Sequence, residues 1–159
     1  MNRVLHILDH SLPLHSGYTF RTRAILKSSQ SAGIEVCGIT GNRHLAQGPP
    51  VETVDGLTFH RTATRLISAP GIREWQEIEA LRAGIERVAK EWRPDIIHAH
   101  SPALCGMAGL RAARRLGMPF VYEIRAFWED AAVGNGTGSE GSIKYRLTRA
   151  LENRVVAKA

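Results

Sequence analysis

The sequence is poor in cysteine and has no long apolar run. Its two cysteines, Cys37 and Cys105, are far apart and belong to no C-x-x-C pattern. Both lie among apolar residues, which predicts buried free thiols in a reducing compartment. There is no stretch of about 18 apolar residues, and residues 1–11 lack the apolar core of a secretory signal. We therefore expect a cytoplasmic protein, either free or peripheral to the inner face of the membrane.

Aromatic residues are also few, and no five like charges occur in a row. Aromatic residues make up 6% of the 159 positions, and 21 lysines and arginines against 15 aspartates and glutamates give a net charge of +6. A basic balance favours anionic partners such as phosphorylated ligands or acidic membranes. Because the basic residues are scattered and match no nucleic-acid-binding motif, no nucleic-acid partner is expected.

Apolar runs alternate with amphipathic stretches along the chain. The runs predict buried strands, and stretches with apolar residues every three or four positions predict helices. The predicted strands span 3–8, 34–40, 95–101 and 119–127, and the predicted helices span 18–32, 75–92, 102–117 and 142–159. Between two β-rich runs, the Asp55-Gly56 pair predicts a hairpin over 51–61.

This alternation predicts an α/β fold in a single domain over residues 1–159. The expected architecture is a doubly wound, mostly parallel Rossmann-like sheet with a small β-hairpin. Ligands bind such sheets outside the carboxyl ends of the strands, near the topological switch point. We expect the tips HSLPLHSGY, HAHSP and EIRAFWED to share one crevice there. The last helix should pack one apolar line on the sheet, formed by Ile143, Leu147, Leu151 and Val155.

The loop after the first strand predicts an anion-binding site. Gly17 has no side chain, so a ligand could approach its backbone, and the next residues begin a helix whose free amides attract an anion. The predicted substrate-binding residues are His15, Ser16, Gly17, Tyr18 and Arg21. The alternative is an ordinary strand-to-helix turn with a capping serine.

Two histidines and a charged pair mark the later strand tips. His98 and His100 point to one face of a strand, and we expect His98 to pack and His100, at the tip, to reach ligand. A closed metal site needs three or four ligands, and no acidic or cysteine partner stands at a defined spacing, so no metal is predicted. Glu123 and Arg125 form either a structural ion pair or a pair held for substrate, and their position at a strand tip favours the second.

The residues after the fourth predicted strand continue the polar edge of the predicted crevice. We predict that Trp128 and Glu129 bind substrate. The segment GTGSEG, residues 136–141, matches a dinucleotide-binding pattern but does not directly follow a strand, so it does not predict a nucleotide site. A mobile loop over 130–142 at the crevice mouth is the expectation instead.

Several segments together resemble the amino-terminal domain of the glycosyltransferase family 4 enzymes. They are RVLHILDHSLPLHSGYTFRTRAIL, VDGLTFHR, RPDIIHAHSP and GMPFVYEIRAFWED. The segment from YEIRAFWED to RALE is more similar to members encoded with bacterial exopolysaccharide and exosortase systems. The resemblance covers nearly the whole chain, and the order and spacing of the segments make it specific.

The resemblance implies one half of a two-domain GT-B enzyme. In that family the carboxy-terminal domain holds the nucleotide sugar, and the amino-terminal domain holds most of the acceptor site. By resemblance, Gly17 lies in the glycine loop that approaches the donor phosphates. The predicted catalytic residues are His100, Glu123 and Arg125. Many members have a histidine where this chain has Arg125, and an arginine stays protonated, so it would bind an anionic group rather than act as a base.

The expected function is that of the amino-terminal half of a glycosyltransferase. The complete enzyme would move a sugar from a nucleotide-sugar donor to a glycan or lipid-linked acceptor in bacterial exopolysaccharide synthesis, without a further cofactor. No donor domain follows Ala159 in this sequence, so we expect a piece of a longer enzyme that is inactive alone. A stand-alone flavodoxin-like module that binds a phosphorylated small molecule is the alternative.

Overall fold

Six strands form one sheet in a computed structural model of the chain, which describes residues 2–69, 71–126, 134–136, 139 and 142–159. In chain order they are β1 (Arg3–Leu8), β2 (Glu35–Thr40), β3 (Val51–Val54), β4 (Leu57–Arg61), β5 (Ile96–His100) and β6 (Phe120–Glu123). Their order across the sheet is β3-β4-β2-β1-β5-β6. Neighbouring strands are parallel except β3 and β4, which form an antiparallel pair.

Four helices connect or follow these strands in the described part of the chain. They are α1 (Gly17–Ser31), α2 (Ile72–Trp92), α3 (Ala103–Leu116) and α4 (Ile143–Val156). The hydroxyl of Ser16 accepts a hydrogen bond from the Thr19 amide at 3.1 Å, which fixes the start of α1. Gly117 ends α3 with a left-handed backbone, φ 65°, which a glycine adopts without steric cost.

Two apolar cores cover the two faces of the sheet. Successive strand residues point to opposite faces, so Leu5 and Ile7 of β1 pack with α2 and α3, whereas Leu8 packs with Leu26 of α1. His6 lies between them on the α1 face of β1 and pairs in register with His98 of β5. The α1 face of the sheet therefore changes from apolar to polar where β1 meets β5.

The switch point of the sheet lies between β1 and β5. From β1 the chain winds through α1 to β2 and β4 on one side, then crosses through α2 to β5 and β6 on the other. The loops after β1 and β5 consequently leave the sheet in opposite directions and open a crevice at its carboxyl edge. This confirms the doubly wound Rossmann-like sheet and the predicted neighbourhood of the first and third buried runs.

The sequence prediction differs from the structure in the length and number of strands. The hairpin is present, but its second strand, β4, also pairs in parallel with β2, so the sheet has five parallel strands instead of four. Leu57 and Phe59 explain this, because both are buried and their side chains complete the core under α1. β6 ends at Glu123 rather than at 127, since the amide of Arg125 donates to the Ser101 hydroxyl instead of to a strand.

The expectation that the whole apolar line of α4 packs on the sheet is wrong for its first half. Ile143 and Leu147 are 80% and 60% exposed, whereas Val155 is fully buried. The reason is that α4 contacts α3 through its last turns, where Val155 lies against Gly106. The GTGSEG segment and the loop over 130–142 lie largely outside the described residues. Among the described helices, none combines the length and apolar character needed to cross a membrane.

Candidate functional site

Arg61 fixes the loop between β1 and α1. Its guanidinium donates to the Ser11 hydroxyl at 2.6 Å and to the Leu12 carbonyl at 2.5 Å, and it pairs with Glu52 at 2.8 Å. The Arg61 side chain is only 10% exposed, so these bonds are shielded from solvent. The loop that carries the predicted anion site is therefore held at a defined position over the sheet edge.

Gly17, the first residue of α1, borders open space. Its backbone is not left-handed, and a Cβ built on it would meet no atom of the described residues within 4 Å. Neither backbone strain nor packing against the described part of the chain therefore requires a glycine here. The first turn of α1 contains no acidic residue, and its leading amides have no intrahelical partner. This end of α1 is accordingly suited to an anion.

The other predicted binding residues of the loop divide into exposed and buried groups. His15 is exposed, and the Arg21 side chain is 57% exposed, so both can contact a ligand. Tyr18 is half-buried and its hydroxyl accepts a hydrogen bond from the Asp9 amide at 3.2 Å. The Tyr18 hydroxyl thus has a structural partner at the end of β1.

Glu123 joins the tip of β6 to α1 and to the histidines. Its carboxylate lies 3.1 Å from His100 Nδ1 and 3.3 Å from each of the Arg21 and Arg125 guanidiniums. The hydrogen bond with His100 and the charge of Arg125 lower the pKa of Glu123 to about 2, against the opposing effect of burial. Glu123 is thus a carboxylate at neutral pH, and at 23% exposure part of it faces the crevice.

Arg125 lies in the interior instead of on the rim. Its side chain is 3% exposed and donates to the Thr22 hydroxyl at 2.6 Å and to the Tyr18 carbonyl at 3.2 Å. A third contact joins its Nη2 to His100 Nδ1 at 2.9 Å. Arg125 therefore connects β6, β5 and α1, and in this arrangement it does not present its guanidinium to a ligand.

The His100 ring is fully buried, so in this arrangement it is not accessible for the direct ligand contact that the sequence predicts. Its Nε2 lies 2.9 Å from Nδ1 of His6, which is also buried. Burial lowers the pKa of His100 to about 4, so the ring is neutral at neutral pH. The relative exposure of His98 and His100 is opposite to the prediction, because the His98 side chain is the more accessible of the two, at 20%.

Three histidines on the α1 face form a group that could ligate a metal. One nitrogen from each of His6, His98 and His100 lies within 4.8 Å of the others. Burial lowers the pKa of both His6 and His98, and neutral imidazoles are the form that binds metals. However, the Arg125 guanidinium lies against His100 Nδ1 and would repel a cation. Arg125 thus supplies the positive charge of this cluster.

Asp9 and His10 are site residues that the sequence does not single out. His10 Nδ1 lies 2.8 Å from the Asp9 carboxylate, and its Nε2 lies 2.7 Å from the Ser16 hydroxyl. The available signal was an aspartate and a histidine directly after a buried strand, at the edge where ligands bind. Trp128 and Glu129 lie outside the described residues, so their binding role stays a prediction.

Five parallel strands with helices on both faces, and a polar crevice at the switch point, define a Rossmann-like domain of a ligand-binding α/β protein. Comparison with known families is more specific. Residues 16–159 match the model of the glycosyl transferase 4-like domain, and the chain belongs to this family. The resemblance seen in the sequence is thereby confirmed at the level of the family.

Relatives and solved structures agree with this assignment. The chain is 29% identical over 157 residues to a GDP-mannose-dependent alpha-mannosyltransferase of Mycolicibacterium smegmatis, covering 96% of this chain and 40% of the relative. A protein of the same name from Mycobacterium tuberculosis is 30% identical over 124 residues, covering 75% of this chain and 31% of the relative. Sucrose-phosphate synthase from Thermosynechococcus elongatus superposes with a TM-score of 0.72 at 15% identity, over 100% of this chain and 41% of that structure. The fold is that of one Rossmann-like domain of the GT-B type.

Proposed function

We propose that the chain is the acceptor-side half of a glycosyltransferase that moves a sugar from a nucleotide-sugar donor to a glycan or lipid-linked acceptor. The observation that carries this proposal is the open, amide-rich start of α1 at the switch-point crevice of a family 4-like domain. The chain spans 40% and 31% of the length of the two mannosyltransferases that it matches. The donor domain of the complete enzyme would therefore lie in a further part of the protein.

The open space beside Gly17 is our proposed contact with the donor diphosphate. Diphosphate oxygens would accept hydrogen bonds from the leading amides of α1, and Arg21 would add a charged donor at the exposed side. The matched relatives are GDP-mannose-dependent by name, so GDP-mannose is the first donor to test. An exopolysaccharide precursor is the acceptor that the sequence resemblance suggests.

Within this proposal the three predicted catalytic residues take different positions. Glu123 is the member of the three whose charged group is partly exposed, so we assign it contact with the acceptor or the reacting sugar. His100 and Arg125 are buried against Glu123 and would act as positioning residues. Their contacts hold the carboxylate at the crevice and keep it ionised.

We also propose that the complete enzyme works at the inner face of a membrane. α4 presents exposed Ile143 and Leu147 beside exposed basic residues at 144, 146 and 149. An exposed apolar stripe flanked by positive charge is typical of a helix that lies on an anionic membrane surface. A lipid-linked acceptor would be reached from this position.

The test is an assay of the complete enzyme with a panel of nucleotide sugars and a lipid extract of bacterial membranes as acceptor. We expect sugar transfer to lipid, measured by mass spectrometry, with GDP-mannose as the preferred donor. The 159-residue chain alone, as a control, should transfer none, because catalysis needs donor and acceptor held together. Transfer by the short chain, or transfer by the complete enzyme to water only, would contradict the proposal.

A further inference from the structure

Asp9, His10 and Ser16 form a hydrogen-bonded relay in the loop that follows β1. The Asp9 carboxylate lies 2.8 Å from His10 Nδ1, and His10 Nε2 lies 2.7 Å from the Ser16 hydroxyl. In the neutral imidazole that donates its Nδ1 proton to Asp9, Nε2 keeps a lone pair and accepts the Ser16 proton. This is the order of acid, base and nucleophile that activates a serine.

The surroundings hold the relay in place. The His10 ring packs against the Tyr18 ring at 4.7 Å between centroids, and the Asp9 amide donates to the Tyr18 hydroxyl. The second carboxylate oxygen of Asp9 is buried and has no hydrogen-bond partner among the described residues, and the Arg43 guanidinium lies 4.0 Å from it. Asp9 and His10 are 15% and 20% exposed, so the relay is shielded but reachable from the crevice.

Ser16 also stands where a negative charge on a bound group would be stabilised. The residues after it begin α1, and the amides of Gly17 and Tyr18 belong to the first turn, which has no intrahelical acceptor for them. An amide directly after a nucleophilic serine is a common donor to the oxyanion of acyl transfer. The open space at Gly17 lets a carbonyl group approach Ser16 from this side.

One bond competes with this use of Ser16. Its hydroxyl oxygen accepts the Thr19 amide as the cap of α1 and lies 3.1 Å from the Thr19 hydroxyl. A hydroxyl oxygen has two lone pairs, so the cap leaves one for attack. The Ser16 hydroxyl oxygen lies 2.7 Å from His10 Nε2 but 3.1 Å from the Thr19 hydroxyl. The shorter distance favours a hydrogen bond from Ser16 to His10.

We propose that Ser16 is a nucleophile and that this chain hydrolyses activated acyl esters. Ser16 Oγ bonds to the ester carbonyl carbon while its proton passes to His10 Nε2, and the carbon–oxygen bond to the alcohol breaks as the alcohol takes that proton. Water then attacks the acyl-serine with His10 as base, which releases the carboxylic acid and restores the Ser16 hydroxyl. Exposed Arg21 favours esters that carry a negative charge. This activity stands on the relay alone and does not depend on sugar transfer.

The test uses the purified chain with a fluorophosphonate probe and with p-nitrophenyl acetate. We expect covalent labelling at Ser16, located by peptide mass spectrometry, and hydrolysis of the ester. Ser16→Asn should abolish both and still cap α1, so the variant stays folded. Because general-base removal costs about 10²–10⁴-fold, His10→Gln and Asp9→Asn should slow labelling by at least 100-fold.

The matched control is Ser28→Ala, an exposed serine at the other end of α1. It should be labelled and should hydrolyse the ester at the wild-type rate. Labelling of Ser16 that needs both His10 and Asp9 supports the proposal. No labelling of Ser16 in a folded chain, or labelling at the same rate in His10→Gln and wild type, would overturn it.

Discussion

The guanidinium of Arg125 lies 4.3 Å from the centre of the Tyr18 ring, so a residue after β6 is stacked on the first turn of α1. The same guanidinium makes three further contacts, to the Tyr18 carbonyl, Thr22 and His100. A cation over an aromatic ring adds electrostatic attraction to these hydrogen bonds. The buried Arg125 side chain thus joins β5, β6 and α1 beneath the crevice.

Replacing Arg125 by alanine should destabilise the chain strongly. The change removes a buried side chain, takes the guanidinium away from His100 Nδ1 and leaves Glu123 with the exposed Arg21 as its cationic partner. Breaking comparable buried pairs costs about 3–5 kcal/mol. Arg125→Lys should also lose stability, because an ammonium cannot reproduce the planar fork. Urea denaturation measures the free energy of unfolding. The control is Arg114→Ala at an exposed position, which should stay within about 0.5 kcal/mol of wild type. A loss below about 1 kcal/mol for Arg125→Ala would mean that the contacts of Arg125 do not hold β5, β6 and α1 together.

The free energy of unfolding should fall as the pH drops from about 6.5 to about 4. His100 is buried with its pKa lowered to about 4, so the folded chain resists a proton that the unfolded chain binds near 6.5. The neutral, buried His100 therefore contributes fully to the free energy of unfolding above pH 6.5 and loses this contribution as the pH falls to 4. The loss is on the order of 3 kcal/mol. The depressed pKa of Glu123, about 2, adds a second loss at more acidic pH, between 4.5 and 2.

Urea denaturation at several pH values tests this window. His100→Gln should weaken the dependence between pH 6.5 and 4 without removing it, because burial also lowers the pKa values of His6 and His98. Exposed His15→Gln should leave the dependence as in wild type. Stability that stays constant from pH 7 to pH 4 in the wild-type chain would contradict the burial of a neutral His100.

Replacing Gly17 by valine should impair ligand binding without unfolding the chain. Among the described residues, a Cβ at this position would meet no atom within 4 Å, and the backbone is not left-handed, so we expect the fold to accept a side chain there. It would instead fill the space proposed for the donor diphosphate. In the complete enzyme we expect at least a tenfold loss of sugar transfer with the unfolding free energy within about 1 kcal/mol of wild type. The control is Ala24→Val at an exposed position of α1, which should leave sugar transfer as in wild type. Equal sugar transfer by Gly17→Val and wild type would show that Gly17 does not belong to the donor site.

The exposed half of α4 should bind acidic vesicles at low salt. Ile143 and Leu147 supply apolar contact, and the neighbouring basic side chains supply attraction of about 1 kcal/mol each that salt weakens. In a sedimentation assay, Leu147→Glu should reduce the bound fraction several-fold. Val156→Glu, at an exposed position on the opposite side of the helix, should not. Equal retention on neutral and acidic vesicles, or no retention at low salt, would mean that α4 is only a solvated surface.

Most of the fold was predictable from the sequence because buried parallel strands are continuous apolar runs. The runs at 3–8 and 95–101 became β1 and β5, and their neighbourhood followed from the usual strand orders. The place of β4 in the main sheet was not predictable, since the alternation of Leu57 and Phe59 fits either a free hairpin or a sheet edge. The amphipathic period of α4 likewise predicts an apolar face but not how much of that face a partner covers.

The candidate site was predicted in its location and only partly in its chemistry. Strand tips place Ser16, Glu123 and Arg125 at one edge, but in the structure Arg125 is buried behind Glu123 instead of facing the crevice. Whether a strand-tip side chain faces solvent depends on what packs over it, which the sequence does not reveal. Thr22 and Tyr18 of α1 enclose Arg125, and His6 of β1 covers His100. The contact of His10 with Ser16 depends on a loop that returns on itself and is fixed by Arg61.

The measurement that tests the central claim most directly is an NMR titration of the ¹⁵N-labelled chain with GDP-mannose. If the start of α1 in the crevice receives the donor diphosphate, the amides of Gly17 and Tyr18 should shift first. The affinity should be weak, because the proposal places most donor contacts in a further part of the protein. Pyrophosphate should shift the same amides, and Gly17→Val should abolish the effect. Shifts confined to the basic surfaces of α3 and α4, or no shift at Gly17 and Tyr18 at millimolar GDP-mannose, would contradict the account.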